Sequence, residues 1–171
     1  AAVSGPVVLY DDDHYYMGAV LAEKLQTAGL EVTLATPAGT VGEWSFNTEE
    51  QTRTQKRLLN LGVNILTAKA VSGFDGDRAE ISCVYTGKSN EQPATSIVLV
   101  TACNPCDELY RQLISDPEAL ADNGIRRVGR IGDCRAPGII AAAVHAGHRV
   151  AREMDVPDPG DVSFRRERVT V

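Results

Sequence analysis

Four groups of residues in this 171-residue chain have types and spacings that could do chemistry. Asp11-Asp12-Asp13-His14 follows the apolar run Val7-Val8-Leu9-Tyr10 and precedes Met17-Gly18, where a nucleotide-binding strand would turn into its helix. Cys103-Asn104-Pro105-Cys106 is a CxxC at a strand end before a helix, the context of a low-pKa redox pair. Gly132-Asp133, with Ala136-Pro137 close behind, places a carboxylate before a small-residue helix. His145 and His148, at i and i+3, could share a ligand, but no carboxylate or third histidine joins them and Arg149 and Arg152 crowd the same face.

Each group has a plainer reading. Consecutive carboxylates do not point one way and the spacing is not that of an EF-hand, so no metal is assigned to the aspartates. They read instead as self-capping the following helix N-terminus. Without a second CxxC, Cys103 and Cys106 do not make a structural zinc site and fit a bland turn. Asp133 has an alternative as an N-cap, and the two histidines one as exposed or interfacial positions. No Ser-His-Asp arrangement can be assembled, and no catalytic residue is assigned.

A dinucleotide turn tests the first group most severely. It needs glycine at its first two fingerprint positions, so that backbone N–H groups can approach a pyrophosphate at a bare helix N-terminus. With Gly18 as the third glycine, Asp13 and Tyr15 stand where the first two belong, and the loop is about two residues too long. At an effective dielectric near 20, each carboxylate a few ångströms from phosphate costs about 4 kcal/mol before screening. The end of the second strand, Ala35-Thr36-Pro37, offers neither the acid that holds an NAD ribose nor the arginine that accepts an NADP phosphate. Gly18 therefore marks a degenerate dinucleotide turn.

The elements that must position these residues are legible in order. Val7 to Tyr10 predicts a buried strand, and Met17, Val20, Leu21, Ala22, Leu25 and Ala28 a helix stopped by Gly29. Residues 30–35 read as a second strand, completing a βαβ unit. A loop over residues 38–47 carries Trp44, and a second helix starts at Thr48-Glu49-Glu50 and ends at Gly62. After a third strand at residues 63–66, runs at 71–74, 79–85 and 95–101 predict a three-stranded meander, with 75–77 and 87–93 as turns. The last of these strands is apolar enough to return to the core sheet. Helices are expected at residues 107–113 and from Pro137 to about Met154, with another turn of helix or a loop over 116–120 and a strand over 127–133. The tail carrying Pro157, Pro159, Arg165, Arg166 and Arg168 reads as extended.

Length and composition suit one soluble globular domain, or one plus a remnant. A net charge of −6 argues against nucleic-acid and anionic-membrane surfaces. Residues 1–105 carry a balance of −5 and residues 106–171 a balance of −1, and every base in the latter is arginine. No apolar run approaches membrane-spanning length and no secretory signal is visible, which leads to a cytoplasmic expectation. Four cysteines are too few and scattered for a secreted disulfide framework.

The segments Val8-Leu9-Tyr10-Asp11-Asp12-Asp13 with Met17-Gly18, residues 21–33, and above all Ile131-Gly132-Asp133-Cys134-Arg135-Ala136-Pro137 through Gly147-His148-Arg149-Val150-Ala151-Arg152-Glu153 resemble the C-terminal region of trimethylamine-dehydrogenase-type flavoproteins. That group includes dimethylamine and histamine dehydrogenases and the related dienoyl-CoA reductases. The resemblance implies an α/β, Rossmann-like three-layer domain with a β-meander, like the NAD(P) and FAD domains of glutathione reductase. Residues 1–105 would be the NAD(P)-binding-like domain and residues 106–171 a return segment of an FAD- or ADP-binding domain. It further implies that Gly132, Asp133, Ala136 and Pro137 line an ADP or FAD pocket. FMN and an iron-sulfur cluster would belong to an upstream part of a longer, oligomeric parent, and an electron-transferring flavoprotein would be the acceptor. On that reading the chain, which begins at Ala1 rather than Met, is an inactive portion by itself. A functional NAD(P)H-binding domain with an aberrant turn, and a thiol redox module at Cys103 and Cys106, remain as alternatives.

Overall fold

The computed structural model describes residues 3–154. The chain divides into two compact units, one ending at Ala102 and one beginning at Cys103.

The first unit is built on β1 (Val7–Asp11), β2 (Val32–Ala35), β3 (Asn64–Leu66) and β7 (Ser96–Val100), all parallel in the order β3-β2-β1-β7. Between β1 and β2 runs helix α1 (Met17–Thr27), and between β2 and β3 helix α2 (Gln51–Asn60). Both helices stop where the sequence predicts. Gly29 and Gly62 adopt φ of +87° and +81°, conformations that cost glycine little and other residues much. The sheet buries both faces, which is why its strands are apolar runs. Alternation along β1 and β2 sends Leu9, Val32 and Leu34 into a cluster with Ala19, Ala22, Val41 and Leu58 on the helix side. Val8 and Ala35 face the other way, against Ala79, Ile81 and Ala94.

That second cluster belongs to an antiparallel sheet of β4 (Lys69–Phe74), β5 (Arg78–Cys83) and β6 (Ser89–Pro93). Helices, parallel sheet and meander thus form three layers, as expected of a Rossmann-like domain. Two details differ from the sequence reading. The meander's third strand is β6, drawn from the stretch 87–93 that reads as a turn, whereas the run at 95–101 supplies the core strand β7. The polar β6 pairs on one side only, with β5, where its polar side chains need no core. The 38–47 loop also contains a 3-10 turn, Glu43–Thr48, so that Glu49 ends that turn with φ +61° rather than opening α2.

In the second unit α3 (Glu108–Ile114), α4 (Pro117–Asp122) and α5 (Ile140–Glu153) are helical. Asp116 caps α4, its Oδ1 accepting the Ala119 N–H at 2.9 Å. The strand predicted over 127–133 is absent. Its backbone finds no ladder partner among the described residues, and Gly132–Cys134 closes a 3-10 turn instead. Helix α5 begins at Ile140, so Pro137 lies before it and not at its first turn. None of the described apolar side chains of this unit is buried. The predicted extended tail, with Pro157, Pro159, Arg165, Arg166 and Arg168, lies outside the described residues.

Candidate functional site

Period-two alternation fixes what the turn after β1 can be. Leu9 points toward the helices, so Asp11 does too, and its side chain is driven under the start of α1. Asp11 is fully buried. Its Oδ1 accepts the backbone N–H of Asp13 and of His14, each at 3.3 Å, while Oδ2 has no hydrogen-bond partner. Burial pushes the carboxyl pKa above its ordinary value, outweighing those two N–H donors. Gly18 is where the helix yields space. A Cβ there would lie 2.4 Å from Cγ and 2.5 Å from Oδ2 of Asp11, well inside contact distance.

This corrects the reading of the aspartates as a helix cap. Tyr16 is the N-cap residue of α1, without a side-chain bond, and the first turn contains no acid. Asp11 binds the turn and not the helix, because alternation buries it one turn too early. Asp12 reaches His14 Nε2 at 3.3 Å, and Asp13 is exposed. The loop after β2 closes over the same turn. Trp44 donates its backbone N–H to the His14 carbonyl at 2.9 Å, and a Cβ on Gly42 would meet the Tyr15 carbonyl oxygen at 2.9 Å. At the end of β2, Thr36 is buried with its hydroxyl accepting the Ala38 N–H, leaving no acid or arginine for a ribose.

In the second unit, Gly132 has φ +57° and packs toward Ala143 of α5, whose Cβ would lie 3.7 Å from a Cβ at position 132. Asp133 is exposed, and its Oδ1 accepts the Gly138 N–H at 3.3 Å. It therefore ties down the segment before α5 and does not cap the helix, whose N-cap is Ile139. Ala136 is exposed and Pro137 half-buried beside it. The segment leading to Gly132 is anchored by Asp107, the one charged side chain buried in this unit among the described residues. Asp107 binds Arg111 at 2.8 Å and also Arg130, whose guanidinium stacks 4.6 Å from the Tyr110 ring centre. The Arg111 hydrogen bond first, then the charges of both arginines, hold the Asp107 carboxyl below its usual range.

Cys103 and Cys106 are exposed free thiols. His145 and His148 are exposed on α5, and among the described residues no cluster of three or more metal-ligating side chains forms. The sequence reading passed over Cys83. It ends β5, and the Thr86 hydroxyl, the N–H groups of Thr86 and Tyr85, and the charge of Lys69 lower its pKa to about 7. The available signal was a cysteine three residues before a threonine in a hairpin turn. Iodoacetamide labelling of Cys83 should therefore have a midpoint of about 7, and Thr86→Val should move it toward 9.0. Peptide mass spectrometry across a pH series checks both.

Against this geometry, residues 2–98 match the family described as OYE-like second alpha/beta domain. The chain belongs to that family. Among relatives of the family member, dimethylamine dehydrogenase of Hyphomicrobium sp. (strain x) is 33% identical over 92% of this chain and 24% of its own. Histamine dehydrogenase from Rhizobium sp. 4-9 superposes with a TM-score of 0.85 and 43% identity, over 99% of this chain and 26% of that one. The 6-hydroxypseudooxynicotine amine oxidase of Pseudomonas geniculata N1 gives 0.76 and 37%, over 84% and 21%. The chain thus spans about a quarter of the length of these relatives and is homologous to trimethylamine-dehydrogenase-type flavoproteins. No helix among the described residues is long and apolar enough to cross a membrane.

Proposed function

We propose that this chain is the nucleotide-domain region of a trimethylamine-dehydrogenase-like flavin oxidoreductase, inactive alone, which retains contact with ADP or the ADP half of FAD through Gly132, Asp133, Ala136 and Pro137. The observation that carries the reading is the contrast between the two glycine turns. At Gly18 the notch is taken by the buried carboxyl of Asp11, while at Gly132 the carboxylate of Asp133 is open to solvent, where it can accept a hydrogen bond from a hydroxyl of the nucleotide's sugar or ribityl part. The first half, residues 1–105, keeps the Rossmann layers as scaffold. The second, residues 106–171, acts as the return segment of an ADP-type domain, and its uncovered apolar side chains meet upstream parts of the same polypeptide. FMN and an iron-sulfur cluster, an electron-transferring flavoprotein acceptor, a homo-oligomeric parent and a cytoplasmic location complete the proposal.

Titration calorimetry with ADP, FAD, NADH and NADPH tests it. ADP should bind, and Asp133→Ala should weaken it by about 10- to 100-fold, the worth of a hydrogen bond to a charged group. Saturable NADH binding would turn the conclusion toward a working NAD(P)H domain.

A further inference from the structure

The turn after β1 is shut in a specific way. The N–H groups of Asp13 and His14 lie in the turn between β1 and α1, the place where a Rossmann domain presents backbone N–H groups to a dinucleotide pyrophosphate. Here both N–H groups donate to one side chain of the chain itself, Asp11, at 3.3 Å. Its other oxygen, unpartnered and fully buried, is aimed at the notch that Gly18 leaves at the head of the eleven-residue helix. We propose that Asp11 is an internal stand-in for a ligand's phosphate, its carboxyl group occupying the place between β1 and α1 where a Rossmann turn holds pyrophosphate.

Three features support a stand-in over a simple turn. Strand alternation alone would not require glycine at position 18, yet any larger residue there would overlap the carboxyl. Asp12 is turned away onto His14 and does not compete for the turn's N–H groups. The Trp44 N–H to the His14 carbonyl holds the loop after β2 on the turn, so the backbone shape persists without a ligand. The ligand class the emptied turn would take is a pyrophosphate, free or in a nucleoside diphosphate. This inference does not rest on the ADP contact proposed at Gly132.

The test removes the stand-in. The full chain and its Asp11→Gly/Asp13→Gly variant, the second change removing the adjacent exposed carboxylate, are titrated with inorganic pyrophosphate. Hydrogen exchange is followed by mass spectrometry. In the variant, exchange across residues 10–20 should slow at least tenfold and saturably, while the unaltered chain shows no change there. A folded variant without slowing, or equal slowing in the unaltered chain, overturns the proposal. Slowing confined to residues 132–138 would also overturn it, while supporting the separate ADP reading. Should the variant fail to fold, Gly18→Ala decides. Its methyl group must expel the carboxyl, so exchange across residues 11–18 should rise at least tenfold, and unchanged exchange in a folded protein refutes the stand-in.

Discussion

Replacing Leu34 with alanine is expected to lower the stability of the first unit by about 2–5 kcal/mol, whereas Ile140→Ala in the second should change stability by less than about 0.5 kcal/mol. Leu34 is fully buried in the layer between the parallel sheet and its helices, packed in one cluster with Leu9, Val41 and Leu58. Truncation there removes the transfer energy of the side chain and leaves a cavity that strands held on both sides cannot collapse to fill. Ile140 is 84% exposed on α5, so its truncation removes almost no buried area. Urea unfolding followed through Trp44, the chain's only tryptophan, reports the first unit, and circular dichroism reports the helices of both, so the second unit's transition is what remains after the first is subtracted. Because two units are present, each probe is fitted separately and no single unfolding energy is assigned. The same Ile140→Ala change in a full-length flavoprotein parent should cost about 1–3 kcal/mol if upstream chain covers α5. Equal, negligible effects in both contexts would count against the return-segment proposal.

The sequence made the helix side of the first unit readable because several signals agreed there. Apolar runs too short for helices, Gly29 and Gly62 at the stops, and amphipathic spacing between them all pointed to one answer. Where the outcome depends on a neighbour, the residues were silent. Ser89-Asn90-Glu91-Gln92-Pro93 has no apolar alternation, and it is a strand because β5 offers it a backbone edge. Arg127 to Asp133 has strand-like residues and is irregular because nothing pairs with it among the described residues. The site divides in the same way. That Asp13 and Tyr15 spoil a glycine fingerprint was visible in the letters. That Asp11 shares the face of Val7 and Leu9, and so is buried against Gly18, follows from the period of the strand, yet three acids in a row before a helix read as a cap of its N-terminus. The lowered thiol of Cys83 depends on a hairpin whose second strand was itself unrecognised.

Asp11→Asn should alter how stability depends on pH. Burial raises the Asp11 carboxyl pKa in the folded state above its ordinary value of 3.8, so the folded state holds this proton more tightly than the unfolded chain does. Stability must then fall as pH rises from the ordinary value through the folded one, with a slope of at most about 1.4 kcal/mol per pH unit, and stay level above. Asparagine keeps the Oδ1 acceptor for the Asp13 and His14 N–H groups and cannot ionise. The stability difference between variant and unaltered chain should therefore grow in favour of asparagine across that window and be flat on either side. Subtraction is essential, since Asp75 and Glu80 in the same unit have lowered pKa values and contribute with the opposite sign. Present in both proteins, they cancel, and following Trp44 keeps Asp107 of the second unit out of the measurement. A flat difference between pH 3 and pH 8 would mean that Asp11 is solvated in solution, and with that the closed turn at Gly18 would lose its physical basis.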